Sequence, residues 1–154
     1  MSLSQQTIDE TKKHIDNVMH CILMIIHELT DRATKHDESK LCSPELETFM
    51  EYTPKLATST YGSTEYNQFL TEMKPALDHH YANNRHHPEF FKEDGINGMN
   101  LVNLIEMLCD WKSASLRHND GSIIKSIEYN KKRFGISDQL TQILLNSVCL
   151  LDKP

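Results

Sequence analysis

Between residues 4 and 32 the apolar side chains Ile8, Ile15, Val18, Ile22, Ile25, Ile26 and Leu29 recur at steps of three, four or their sum. That spacing lays one face of an α-helix against a core. It returns in Tyr66, Leu70, Met73 and Leu77, and again in Leu101, Leu104, Ile105, Leu108 and Trp111. Nowhere does the chain alternate apolar and polar residues for long enough to make a strand. The pattern predicts an all-α fold of about six helices. Ser43-Pro44-Glu45 reads as a helix start, with Ser43 as N-cap, opening a short helix to about Tyr52. A loop around Gly62 precedes a third helix over 64–81, with Pro75 as a kink. Residues 82–98, with Asn83-Asn84, Pro88, Gly95 and Gly98, read as an ordered loop. Three more helices are expected over 99–118, 123–133 and 138–151. Asp120-Gly121 makes a turn, Ser122 and Ser137 act as caps, and Gly135 supplies a left-handed stop.

The chain has 154 residues, one domain's length, and we expect a single domain over 1–154. Lys and Arg number 16 against 22 Asp and Glu, a net charge of −6. A protein that grips a nucleic acid duplex carries the opposite sign, so no duplex partner is expected. The longest apolar run, residues 21–26, ends at His27-Glu28, far short of the roughly 18–20 residues of a membrane span. No basic-then-apolar leader is visible. The four cysteines, at 21, 42, 109 and 149, form no CxxC pair. Together these features predict a cytoplasmic protein with free, buried thiols and no membrane partner.

Nine histidines are present, and most are grouped. His36-Asp37, His79-His80, His86-His87 and Asp110 come from separate stretches, and His14 adds another. Imidazole with carboxylate is the ligand set of Zn, Fe, Mn or Co. His14 borders the expected buried face one turn before Val18. His80 continues the Met73–Leu77 stripe, whereas His79, turned by about 100°, faces solvent. Asp110 flanks the apolar face of its helix, where a carboxylate is costly unless paired or metal-bound. His20, His27 and His118 read as surface or helix-end residues. No HExxH or ExxH pair occurs, which disfavours zincins and ferritin-like bundles. No glycine-rich phosphate loop is present. Ser122 and Lys125 match SxxK but read as a helix cap. Tyr61, Tyr66 and Tyr81 are candidate pocket residues.

His36-Asp37-Glu38-Ser39-Lys40 resembles the HDxxK signature of the HD-domain superfamily, metal-dependent phosphohydrolases with an all-α core. The ligand order of that superfamily maps onto His14, His36-Asp37 and Asp110, separated by 22 and 73 residues. Members that bind further ions add histidines between the last two. His80 and one of His86 and His87 fill those places; His87 is preferred, because Pro88 holds the residue before it extended. His86-His87-Pro88-Glu89 is similar to the HHE stretch of the cyclic-di-GMP phosphodiesterase branch, although the GYP tripeptide of that branch is absent. Asp110 to Ala114 resembles the D-x-x-x-A helix that supplies the last ligand. With HDxSK, NRHHPE and EMLCDW, the whole chain also resembles a small family of bacterial and phage proteins of unknown function.

The resemblance implies a single HD-like helical bundle holding one or two divalent transition-metal ions (Mn, Fe, Co or Zn). Their ligands would be His14, His36, Asp37, His80, His87 and Asp110. Metal-activated water would hydrolyse a small phosphorylated substrate, a nucleotide being the favoured one. Asp37, Lys40 and Arg117 would be the catalytic set, with both cations on phosphate. Arg32 and Arg85 are further candidates for that charge, and Glu45 for orienting a ligand or water. Some proteins of this fold activate oxygen at a His/Asp-bound di-iron pair, and the order H…HD…H…H…D fits them as well. An oxygenase is therefore the alternative, and a non-catalytic helical binding protein the third reading. A homodimer is compatible with all three.

Overall fold

A computed structural model describes residues 3–60, 63–117 and 121–152. The expectations placed on Tyr61, Gly62, His118 and Asp120 lie outside these residues. In chain order the elements are α1 (Leu3–Lys35), a 3-10 turn (Glu38–Leu41), α2 (Glu45–Thr58), α3 (Thr64–Glu72) and α4 (Lys74–Asn83). A second 3-10 segment (Pro88–Gly98), α5 (Leu101–Ser115), α6 (Ile123–Phe134) and α7 (Asp138–Leu151) complete them. Among the described residues the fold is all-helical, without a strand. The expected helix over 64–81 is two helices. Pro75 has no N–H to give and is tolerated only in a first turn. The chain therefore restarts at Met73, which ends α3 and precedes α4.

The chain divides into two compact units, Met1–Lys35 and His36–Pro154. The first is α1, 33 residues with no buried side chain. The expected inward stripe stays half exposed, Ile15 at 57 % and Ile22 at 52 %. A single helix has no second layer of its own to cover such a face.

The second unit has its core in Met107, Leu108 and Trp111 of α5, Ile123 and Ile127 of α6, Ile136, and Leu144 and Val148 of α7. Trp111 and Phe134 stack with planes 3° apart. Local chemistry sets the corners. The Ser122 and Ser137 hydroxyls accept from the backbone N–H of Lys125 and Leu140. Gly135, at φ 62°, ends α6 in the left-handed conformation that glycine adopts without a Cβ penalty. Its turn delivers Ile136, 4 % exposed, into the core.

Several expectations are corrected. On α5, Leu101 and Ile105 are exposed, at 73 % and 44 %. The inward face is Asn103, Met107, Leu108, Trp111 and Ser115. Glu106 and Asp110 are turned inward as well, at 10 % and 22 % side-chain exposure, so this face carries acids that apolar spacing does not count. α5 starts from an Asn100 cap on the Asn103 N–H and stops at Ser115, short of residue 118. α2 continues through Pro54 to Thr58, and Pro44, not Ser43, precedes its first residue, with no side-chain cap. Of the ordered loop expected over 82–98, residues 82 and 83 end α4, and 88–98 are 3-10 turns broken at Lys92 and Gly95. All four cysteines are free but exposed, Cys109 and Cys149 on outward faces of α5 and α7. No described helix is long and apolar enough to cross a membrane.

Candidate metal centre

Asp37 takes a left-handed conformation, φ 58° and ψ 15°, ahead of the first 3-10 turn. Aspartate adopts it more readily than most residues. Through that step two sequence neighbours converge, and His36 Nε2 lies 3.5 Å from Asp37 Oδ2. The Lys40 ammonium, one turn on, donates to the same oxygen at 2.6 Å. From α4 comes His80, 1 % exposed, following buried Met73 and Ala76 on one face. His86 and His87 lie between α4 and Pro88, with His87 extended at φ −98° and ψ 130°, as a residue before proline is bound to be. Asp110 and Glu106 reach in from adjacent turns of α5.

The imidazole Nε2 atoms gather on Asp37. His80 Nε2 is 3.3 Å and His86 Nε2 3.5 Å from Asp37 Oδ1, and His80 Nε2 is 2.9 Å from His87 Nε2. On the other carboxylate oxygen, His36 Nε2 lies between Asp37 and Asp110 Oδ1, the latter at 3.7 Å. The opposite nitrogens are tied back by acids. Glu106 Oε1 meets His36 Nδ1 at 3.0 Å and His86 Nδ1 at 3.1 Å. Glu45, completely buried, accepts from His80 Nδ1 at 2.9 Å, His79 Nδ1 at 2.7 Å and the Ser39 hydroxyl at 3.0 Å. A ring that gives its Nδ1 proton to a carboxylate presents a lone pair at Nε2. Carboxylate-backed histidines of this kind are the usual outer shell of metal ligands.

Asp37 Oδ1 and His86 Nε2 are buried with no hydrogen-bond partner. A buried carboxylate oxygen facing lone pairs is costly as it stands, and a cation supplies what it lacks. The spacing agrees: two ligands about 2.0–2.2 Å from one ion lie about 3.0–3.5 Å apart. Three groups have ligand atoms within 4.8 Å of one another: Asp37, His80, His86 and His87; His36, Asp37 and Asp110; and His36, His86 and Glu106. The first two share Asp37, through different oxygens.

Protonation follows the same geometry. The facing Asp110 carboxylate and the Glu106 hydrogen bond raise the His36 imidazolium to about 10, so a cation there replaces a proton. Burial, helped by His86 and His80, pushes His87 down to about 2 and keeps its ring neutral. Burial also disfavours ionised Asp37, yet the facing His80 imidazole and the Lys40 ammonium hold its carboxyl well below the ordinary carboxylate range. Asp110 is likewise lowered: burial opposes ionisation, and the facing His36 imidazole outweighs it.

Of the residues expected from sequence, the structure brings together His36, Asp37, Lys40, His80, His87 and Asp110. His14 stands exposed on α1, in the other unit. Arg117 sits in the exposed turn after α5, its N–H on the Ala114 carbonyl, so the expected helical register from Asp110 stops short of it. Arg85 lies over the rings of Phe90 and Phe91. The preference for His87 over His86 is too narrow, because both rings take part. Glu106 was missed, although an acid one turn before Asp110 was its signal. His79 is exposed as expected, yet bonded to Glu45.

No curated protein and no solved structure matches the chain. A family model does match, over residues 3–149. Nearly the whole chain is covered, and the protein belongs to DUF5662, a family of unknown function.

Proposed function

We propose that the second unit is a metal-dependent phosphohydrolase with an HD-domain-like bundle, acting on a small phosphorylated substrate. The observation that carries this reading is the Asp37 carboxylate. One oxygen faces His80 and His86, and the other faces His36 and Lys40. Asp37, His80, His86 and His87 form one candidate ligand set, and His36, Asp37 and Asp110 a second. A divalent ion bound there supplies Lewis acidity and lowers the pKa of water to about 7. Glu45 and Glu106 fix the ring orientations. Lys40 already lies on an anion, Asp37, with its other side over the Phe49 ring at 5.0 Å. A substrate phosphate oxygen competes with Asp37 for that ammonium. The net charge of −6 favours a small anion over a polyanionic duplex.

Metal analysis of protein purified without a histidine tag or chelator tests the centre. We expect bound Mn, Fe, Co or Zn in the wild type and none in Asp37→Ala, whose helical circular dichroism stays intact. Lys40→Ala should keep its metal while kcat falls or KM rises for phosphate release. Metal-free wild type, or full metal content in Asp37→Ala, rejects the centre. Oxygen uptake by an iron-loaded sample that releases no phosphate from any ester replaces hydrolysis with oxygen activation.

A further inference from the structure

α1 has 33 residues and no buried side chain, yet its apolar residues keep a stricter order than a helix needs to lie on a core. Ile8, Ile15, Ile22 and Leu29 stand seven apart, and Thr11, Val18 and Ile25 repeat at the same interval three residues on. These are the a and d positions of a heptad, and Arg32, at the next d position, ends the run. A straight α-helix drifts by about 20° per heptad from such a repeat. A seam that holds the repeat therefore suits a second helix supercoiled along it. We propose that α1 pairs along this seam with α1 of a second copy of the chain, and so assembles a homo-oligomer. The inference stands apart from the chemistry of the metal centre.

The surface left open is large enough. Ile8, Ile15, Val18, Ile22 and Ile25, with Met19 and Ile26 at the neighbouring e positions, are between 43 % and 57 % exposed. Taken at roughly 90 Å² apiece, these residues offer on the order of 600 Å² per copy, so a pair covers about 1,200 Å², where standard interfaces begin.

The flanks of the seam favour the chain's own copy. Coiled coils that select a different chain mark it with charges at e and g. Between residues 14 and 26 those positions are His14, Met19, Cys21 and Ile26, with no Lys, Arg, Asp or Glu among them. Nothing there repels an identical helix, and in a symmetric pair each knob enters a hole built from the same residues. A lipid surface is a poor occupant, because helices that lie in a membrane interface carry Lys and Arg on their polar face. The face of α1 away from the seam has Asp9, Glu10, Asp16 and Asp31 against Lys13. Leu23 and Met24 are exposed as well and fall outside a two-stranded seam. With β-branched residues at both a and d, they admit a bundle of three or four strands. The expected mass is thus that of two chains or a higher multiple.

Sedimentation equilibrium of the full chain at submillimolar concentration tests this. Wild type should give that multiple, and Ile15→Glu with Ile22→Glu should reduce it to the mass of one chain. His20→Glu with His27→Glu, which puts the same charges at f positions on the opposite face, should leave the multiple unchanged. Trp111 is the chain's single tryptophan and lies in the core of the second unit. Its emission should match in all three proteins, which separates dissociation from unfolding of that unit. Without any variant, the Tm of wild type should rise with protein concentration, as it does when the folded chain associates. A wild type that sediments as one chain overturns the proposal. So does a multiple that survives the glutamates in the seam, or one that the two glutamate pairs dissolve equally.

Discussion

Glu106 does at the residue scale what a metal site needs and a ligand list omits. A single oxygen of it holds the Nδ1 atoms of both His36 and His86. Glu106→Gln keeps the shape but replaces the charged acceptor, so neither ring is held to one tautomer. Loss of such an outer-shell partner typically costs about 10- to 100-fold in metal affinity. We expect that loss in Glu106→Gln, and a similar one through His80 in Glu45→Gln, measured by competition with a chromophoric chelator. Undiminished affinity in both variants would show that these histidines do not hold the ion. In metal-free protein the same contacts set a pH dependence. His36 titrates at about 10 when folded, against 6.5 for the free side chain. Its contribution to stability is whole below pH 6.5 and is lost as pH rises towards 10. Chelated wild type should therefore lose Tm between these limits, and Asp110→Asn should lose less. An equal loss in the two proteins would remove His36 as its source.

At the scale of elements, what could be read in the sequence follows from which signals are periodic. His80 was legible because it continues the Met73–Leu77 stripe, although the buried neighbours on its face are Met73 and Ala76 and Leu77 is only partly covered. Asp110 was legible as an acid beside an apolar stripe. Glu106 follows no apolar rule, and at a helix start Glu45 already had a sufficient explanation. Its complete burial under two histidines is a tertiary fact. His86 and His87 could not be ranked from the effect of Pro88, because that effect constrains one backbone position while both rings turn inward. Residues 88–98 carried no helical period, since 3-10 turns repeat every three residues and run short. The stripe on α1 shows the remaining limit. Spacing establishes that a helix has an apolar face, but not what covers it.

For the second unit as a whole, the candidate ligands tie together elements that the apolar core does not unite. The core joins α5, α6 and α7. The ligand atoms come from the His36-Asp37 step, α4, the 86–87 stretch and α5. Without an ion, Asp37, Glu45, Glu106 and Asp110 bring acidic groups into one small region. Lys40 and a protonated His36 offset only part of that charge. An ion that binds the folded chain and not the unfolded one stabilises it by about 2.7 kcal/mol at a hundred times its Kd. Chelation should therefore lower the Tm of the wild type, and returning the metal should restore it in proportion to the logarithm of metal concentration. Asp37→Ala removes the carboxylate both candidate sets share, and with it a charge that is costly to bury alone. Its Tm should ignore the chelator and equal or exceed that of chelated wild type. If chelator shifts both proteins equally, the stabilising ion sits elsewhere and the carboxylate at 37 is not its anchor.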